Sequence, residues 1–202
     1  RNSQLMIFDE PEAGIDLWSF ARLTETFEQL RQRELATMII ISHQERIIQL
    51  ADEIVVVGGG IAGMCAAAAA SRLGCSVALV NDRPVLGGNN SSEIRVHLGG
   101  VIELGPNEGL GRMIREFGHS REGTARPAEN YEDAKKSAFI AGEQNVKLFS
   151  SCRAVAVNKE GGRIKSVIVR HIETGEETTL EAPLFADCTG DGTVGFLAGA
   201  DY

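Results

Sequence analysis

The stretch Ile54-Val55-Val56-Val57-Gly58-Gly59-Gly60-Ile61-Ala62-Gly63 constrains this chain more than any other. Its β-branched residues predict a buried strand, and the alanine-rich run Ala62 to Leu73 predicts a helix immediately after a G-x-G-x-x-G turn. A second apolar strand, Ser76 to Val80, follows. Strand, turn, helix and strand at this spacing form a parallel β-α-β unit. Within such a unit Gly58 permits the tight turn, Gly60 lets the backbone approach a pyrophosphate, and Gly63 with Ala67 lets helix and strand pack closely. The helix N-terminus adds unpaired N–H groups and the positive end of its dipole. Dinucleotide binding through Gly58, Gly60 and Gly63 is the expectation.

An acidic residue near the end of the second strand holds the adenosine ribose in such units, about 20 residues on. Here Asn81 takes the usual acidic place and Asp82 is shifted by one, so either is placed to bond the hydroxyls. Arg83 is a candidate for a phosphate or for a solvated turn. Beyond a Gly-rich region, helices are expected at Leu110 to Phe117 and Tyr131 to Glu143. Strands are expected near Lys147 to Phe149, Ala154 to Asn158, Ile164 to His171, Glu177 to Glu181 and Leu184 to Asp187. Glu160-Gly161-Gly162 and Glu173-Thr174-Gly175 supply the hairpin turns.

The run from Asn81 through Arg83-Pro84-Val85-Leu86-Gly87-Gly88-Asn89-Asn90-Ser91-Ser92-Glu93-Ile94-Arg95-Val96 resembles the second conserved loop of FAD-dependent oxidoreductases, in particular a bacterial family with an RPxLGGNxSSEVRV-like segment. Ala186-Asp187-Cys188-Thr189-Gly190-Asp191-Gly192 resembles the third FAD motif of the same fold. The resemblance covers 54–202 and implies a three-layer Rossmann-like α/β domain with a parallel sheet and an antiparallel β-hairpin insertion. It implies FAD as cofactor, with Gly87 and Gly88 beside it. The Asp191 carboxylate would take a hydrogen bond from the ribityl chain or approach the pyrophosphate through water. Flavin disulfide reductases carry a redox cysteine pair shortly after the Gly-Gly element. Asn89-Asn90-Ser91-Ser92 fills that stretch here, so no dithiol relay is expected.

Residues 1–53 follow another pattern. They carry net charge −5 and a single glycine, Gly14, whereas every other glycine follows Val57, which places a domain boundary near Glu53. A strand at Leu5 to Phe8, a helix over Leu17 to Arg33, a strand at Met38 to Ile41 and a short helix near Glu45 to Leu50 make a β-α-β fragment. Leu5-Met6-Ile7-Phe8-Asp9-Glu10 has the form of a Walker B element, in which Asp9 helps hold Mg²⁺ and Glu10 polarises the attacking water. Pro11 to Asp16 resembles the D-loop, and Ile40-Ile41-Ser42-His43 the switch-histidine strand, of ABC-type ATPases, most closely the ATPase subunit of iron-sulfur assembly machinery. No GxxxxGK[ST] occurs anywhere, so Asp9, Glu10 and His43 lack a phosphate cradle and have a role only in an intact ATPase. The segment is expected to be a truncated P-loop-NTPase-type fragment joined to the FAD domain.

A formal charge of −8 argues against nucleic acid or anionic membrane as partners, and no apolar run approaches the ~20 residues that span a bilayer. Cys65, Cys75, Cys152 and Cys188 show no metal-ligand spacing and read as small buried hydrophobes, which with the absence of a signal-peptide pattern suggests the cytoplasm. His97 reads as an ordinary loop histidine near the Gly-Gly loop. The expectation is the FAD-binding portion of a flavin oxidoreductase, C-terminally incomplete and inactive alone. Its rivals are an ABC-type ATPase subunit and a non-catalytic nucleotide-binding or interaction fragment. Substrate and oligomeric state are not specified by the residues.

Overall fold

A computed structural model of the chain describes residues 5–9, 22, 23, 25–27, 29, 37–41, 53–99, 111–118 and 123–201. In chain order its elements are β1 (Leu5–Asp9), β2 (Thr37–Ile41), β3 (Glu53–Val57), α1 (Ile61–Arg72), β4 (Ser76–Val80), α2 (Arg112–Phe117), a 3-10 turn (Ala128–Tyr131), α3 (Asp133–Ala141), β5 (Val146–Phe149), β6 (Cys152–Glu160), β7 (Arg163–His171), β8 (Glu177–Glu181), β9 (Leu184–Asp187) and α4 (Thr193–Leu197). Among these residues no helix is long and apolar enough to cross a membrane.

The central sheet is parallel, in the order β5-β4-β3-β9. Because successive side chains of a strand point to opposite faces, β3 feeds two cores. Ile54 and Val56 pack with Met64, Ala67 and Ala70 of α1, with Phe117 of α2 and with Ile140 of α3. Val55 and Val57 face the other way, onto Ile164, Val167, Val169 and Leu180 of the antiparallel β6-β7-β8 sheet and Val194 of α4. Helices, parallel sheet and antiparallel sheet are thus the three layers. The β6–β7 hairpin turns on Gly161 (φ 57°) and Gly162 (φ 83°), with Glu160 paired to Arg163. Positive φ at both central residues suits the right-handed twist of a two-residue hairpin.

Three strand ends come together at one edge. β3 is registered against β4 with Val57 opposite Val80, and against β9 with Val57 opposite Asp187. The loops leaving Val57, Val80 and Asp187 therefore open from the same carboxyl-terminal edge of the sheet, where open α/β sheets place their ligands.

The helix expected over Tyr131 to Glu143 is broken. Glu132 sits at φ 50°, ending the 3-10 turn, and α3 starts at Asp133. The Tyr131 hydroxyl donates to Arg95 O at 2.5 Å and the Asp133 carboxylate accepts from Ser92 N–H at 3.1 Å. One continuous helix would point residues two apart to opposite sides, so these two tethers to one loop require the break. Of the helix expected at Leu110 to Phe117, Leu110 lies outside the described residues.

β1 and β2 form a two-stranded parallel sheet of their own, from Leu5 opposite Thr37 to Asp9 opposite Ile41, with helical backbone at positions 22, 23, 25–27 and 29 between them. Both edges of β3 are taken by β4 and β9. The short helix expected at Glu45 to Leu50 lies outside the described residues, as do Glu10 and His43. Two strands bury little surface, and such units open locally before the global transition. In hydrogen exchange the amides of Met38 to Ile41 are therefore expected to exchange well before those of Ile54 to Val57; equal protection would show a single cooperative unit.

Candidate cofactor site

At the edge where the three loops meet lies a cavity of about 520 Å³, lined by residues that follow β3, β4 and β9. Its floor is two backbones in close apposition. Gly87 N–H donates to Gly59 O at 2.8 Å, and Gly60 and Gly87 form a parallel bridge. A Cβ on Gly88 would lie 3.0 Å from Gly60 Cα, and one on Gly58 (φ 111°) 2.3 Å from Cys188 O. Gly60 differs, since its Cβ would meet only Gly88 Cα, at 3.9 Å. Above this floor α1 begins. Its first intrahelical bond runs from Met64 N–H to Gly60 O at 2.9 Å, so the preceding N–H groups have no helical acceptor, and no acidic side chain occupies the first turn. That end of α1 attracts an anion with nothing opposing it.

Of the residues singled out from sequence, Gly58, Gly60, Asn81, Asp82, Arg83, Gly87, Gly88 and Asp191 all line the cavity, as does His97. Gly63 lies behind the lining. A Cβ there would fall 1.8 Å from Gly58 O, so this glycine brings α1 onto the turn. Asn81 is buried and its Nδ2 donates to Arg83 O at 2.7 Å and Val85 O at 3.0 Å, clamping the loop after β4. Both amide hydrogens of Asn81 are thus used internally, while Asp82 is exposed on the lining. Arg83 pairs with Glu93 at 3.3 Å, which bridges the two ends of its own loop. His97 Nδ1 lies 3.0 Å from Thr124 Oγ1.

The third motif divides its labour between two carboxylates. Asp187 accepts from Thr189 N–H (3.1 Å) and Oγ1 (2.7 Å), and from Val194 N–H (2.7 Å) and Gly195 N–H (3.1 Å). It braces the turn and the start of α4. Asp191 is exposed on the cavity wall and has no hydrogen-bond or ion-pair partner among the described residues. The signal for Asp187 was present in the sequence, in an aspartate followed two residues later by threonine, a spacing that favours local side-chain-to-backbone bonding.

The support under the Gly87–Gly88 loop was not singled out from sequence. Lys136 on α3 is fully buried, its stem so close that a Cβ on Gly87 would be 2.8 Å from Cδ. Its Nζ donates to Tyr131 O and lies 3.9 Å from Asp133 Oδ1. Burial lowers its pKa, while Asp133 and Glu132 oppose the shift. The helical period holds a signal here: Lys136 lies four residues before the buried Ile140 and shares its face, whereas Lys135 is exposed.

Burial raises the Cys65 and Cys188 thiols to about 11. Cys188 and Cys152 line the cavity, and burial also raises Cys152. At neutral pH these thiols are protonated and weak nucleophiles. Among the described residues no group of three or more His, Cys, Asp or Glu side chains is placed to hold a metal ion.

A glycine-lined cradle at a helix N-terminus, with a carboxylate at each end of the opening, is the site of a dinucleotide-binding α/β domain of the Rossmann class. The residues present fit such a cofactor. Gly60 leaves open the space that a side chain would fill, and one buried side-chain oxygen of a lining residue, Asn90 Oδ1, has no partner. The profile of the family described as FAD dependent oxidoreductase matches residues 53–202, and the chain belongs to that family. Membership implies FAD binding. No curated protein matches the chain. Among solved structures, thioredoxin reductase of Lactococcus lactis is 17% identical with a TM-score of 0.40, covering 67% of this chain and 30% of that one. Thioredoxin reductase of T. acidophilum is 15% identical with a TM-score of 0.39 and the same coverages. A ferredoxin reductase of Rhodopseudomonas palustris is 18% identical with a TM-score of 0.40, covering 75% of this chain and 28% of that one. The chain thus spans about 30% of the length of these reductases.

Proposed function

We propose that residues 53–202 bind FAD as the cofactor domain of a flavin-dependent oxidoreductase. The pyrophosphate would lie over Gly60 at the start of α1, Asp82 would hold the adenosine ribose, and Asp191 would face the ribityl side. The observation that carries this reading is the open space at Gly60 beside unpaired helical N–H groups, on a floor of two apposed backbones. Bound flavin would supply hydride or electron transfer. The chain's own residues would bind and orient it. Gly58 and Gly87 let two backbones meet, Asn81 and Arg83 shape the loop between them, and Asp187 holds Asp191's turn in place. Purified protein should show a flavin band near ~450 nm, intrinsic to the bound cofactor. Protein that stays colourless and takes up no added FAD would refute the reading.

For residues 1–53 we propose a P-loop-NTPase-type β-α-β fragment of ABC-type ATPase descent, fused to the FAD domain near Glu53; the reading rests on the Walker B-like, D-loop-like and switch-histidine-like segments of the sequence, and the parallel β1–β2 pair is of the kind any β-α-β unit has. Asp9 would be its Mg²⁺ ligand and Glu10 and His43 its catalytic residues, all three without a phosphate cradle. ATP hydrolysis above background is therefore not expected. Mg²⁺-dependent phosphate release that disappears in Glu10→Gln would overturn this.

A further inference from the structure

Asn90 is 2% exposed, and its Oδ1 is the one buried side-chain polar atom without a hydrogen-bond partner among the described residues. Leaving a buried acceptor unpaired costs about 1–3 kcal/mol, and native structures keep few of them. The identity of the orphan is settled by its other branch. The side chain donates to Val96 O at 2.9 Å, and a carbonyl can only accept, so the NH₂ faces Val96 and the unfilled atom is oxygen. The residue lines the cavity. Its loop is held from several sides: Asn90 N–H donates to Gly87 O at 3.0 Å, Val96 N–H to Asn89 O at 2.9 Å, and Ser92 N–H to Asp133. A braced loop that lines the cavity therefore holds one unfilled acceptor.

We propose that Asn90 is a cofactor-reading residue whose side-chain oxygen accepts a hydrogen bond from a hydroxyl or N–H on the flavin-bearing half of FAD. This rests on the FAD reading above. Position and chemistry select that half. Asn81, Asp82 and Arg83 wall the cavity where β4 ends, the adenosine ribose position, whereas Asn90 follows the Gly87–Gly88 cradle and leads to Val96, His97 and Leu98 on the lining. The ionised pyrophosphate between them offers only acceptors and would repel an amide oxygen. The ribityl hydroxyls and the N–H of the isoalloxazine are donors, and both lie beyond the pyrophosphate.

The test compares affinities for FAD and for ADP, which lacks the ribityl and flavin groups, in the full chain carrying Asn90→Leu or Asn90→Asp. Leucine removes both polar branches at similar volume. Aspartate keeps an oxygen at each branch, loses the bond to Val96 and adds a negative charge that acts on the diphosphate of FAD and of ADP alike, so that it cancels in their ratio. The FAD-to-ADP affinity ratio is expected to fall about tenfold in Asn90→Leu and to stay within about threefold in Asn90→Asp. An unchanged ratio in Asn90→Leu would mean that water or nothing meets the oxygen, and the proposal fails. Equal falls in the two variants would assign the effect to the Val96 bond and also overturn it. So would parallel loss of both nucleotides in Asn90→Leu with its circular dichroism unchanged, which marks loop support. Wild-type protein that does not take up FAD overturns the functional reading itself, and this inference with it.

Discussion

Gly60→Val is expected to fold as the wild type does and to lose FAD. The backbone at this position, φ −69° and ψ −179°, is open to any residue, and a Cβ there meets nothing closer than 3.9 Å. The protein interior therefore has no steric objection to a side chain. The objection comes from the ligand, because the added methyl groups would occupy the space at Gly60 through which a pyrophosphate must approach the N–H groups at the start of α1. FAD affinity should fall at least about 100-fold, about 2.8 kcal/mol, with the melting temperature within about 2 °C of wild type, since a change that strains no native contact has only small effects. Titration and a thermal melt on the same sample check both halves. Unchanged affinity would reduce the glycine run to a tight turn and remove the main support for the cofactor reading.

Gly63→Ala, three residues on, is expected to do the reverse and damage the fold first. Its Cβ would fall 1.8 Å from Gly58 O and 3.3 Å from Cys188 Cβ, so α1 must move away from the turn that follows β3. Alanine is the better helix former by about 1 kcal/mol, but overpacking a close backbone approach costs about 1–3 kcal/mol and sometimes more. A net loss of about 2 kcal/mol lowers the melting temperature of a chain this size by about 4–8 °C. A melt in which Gly63→Ala equals or exceeds wild type would show that the helix shifts freely and that propensity decides the outcome. The two variants separate glycines kept for the ligand from glycines kept for packing, a distinction that the G-x-G-x-x-G spacing does not make.

Local periodicity made much of the architecture legible. Strands β4, β8 and β9 lie where alternation and turn residues put them, because strand and turn preferences act over neighbouring residues. The three-layer arrangement, with β3 between β4 and β9, follows from a strand apolar on both faces and from the motifs that flank it. The glycine loop was legible for the same reason, since backbone freedom and the absence of a side chain are properties of the residue itself.

What only the tertiary structure decided are the roles that depend on residues meeting across the chain. The clamp of the Asn81 amide on Arg83 O and Val85 O is one such role. The pairing of Arg83 with Glu93, ten residues away, is another. Lys136 resembles its neighbour Lys135 in sequence, yet one is buried under Gly87 and the other faces solvent, because the packing of α3 against the loop selects one helical face. The break at Glu132 follows from tethers of Tyr131 and Asp133 to a loop some 35 to 40 residues earlier. Sequence alone determined most strands and turns and the glycine loop, but not the break in the helix at Glu132. Folding decided which polar atoms are used up inside the protein and which, like Asn90 Oδ1 and the Asp191 carboxylate, have no partner among the described residues, since a hydrogen bond or a clash exists only once its two partners share a place.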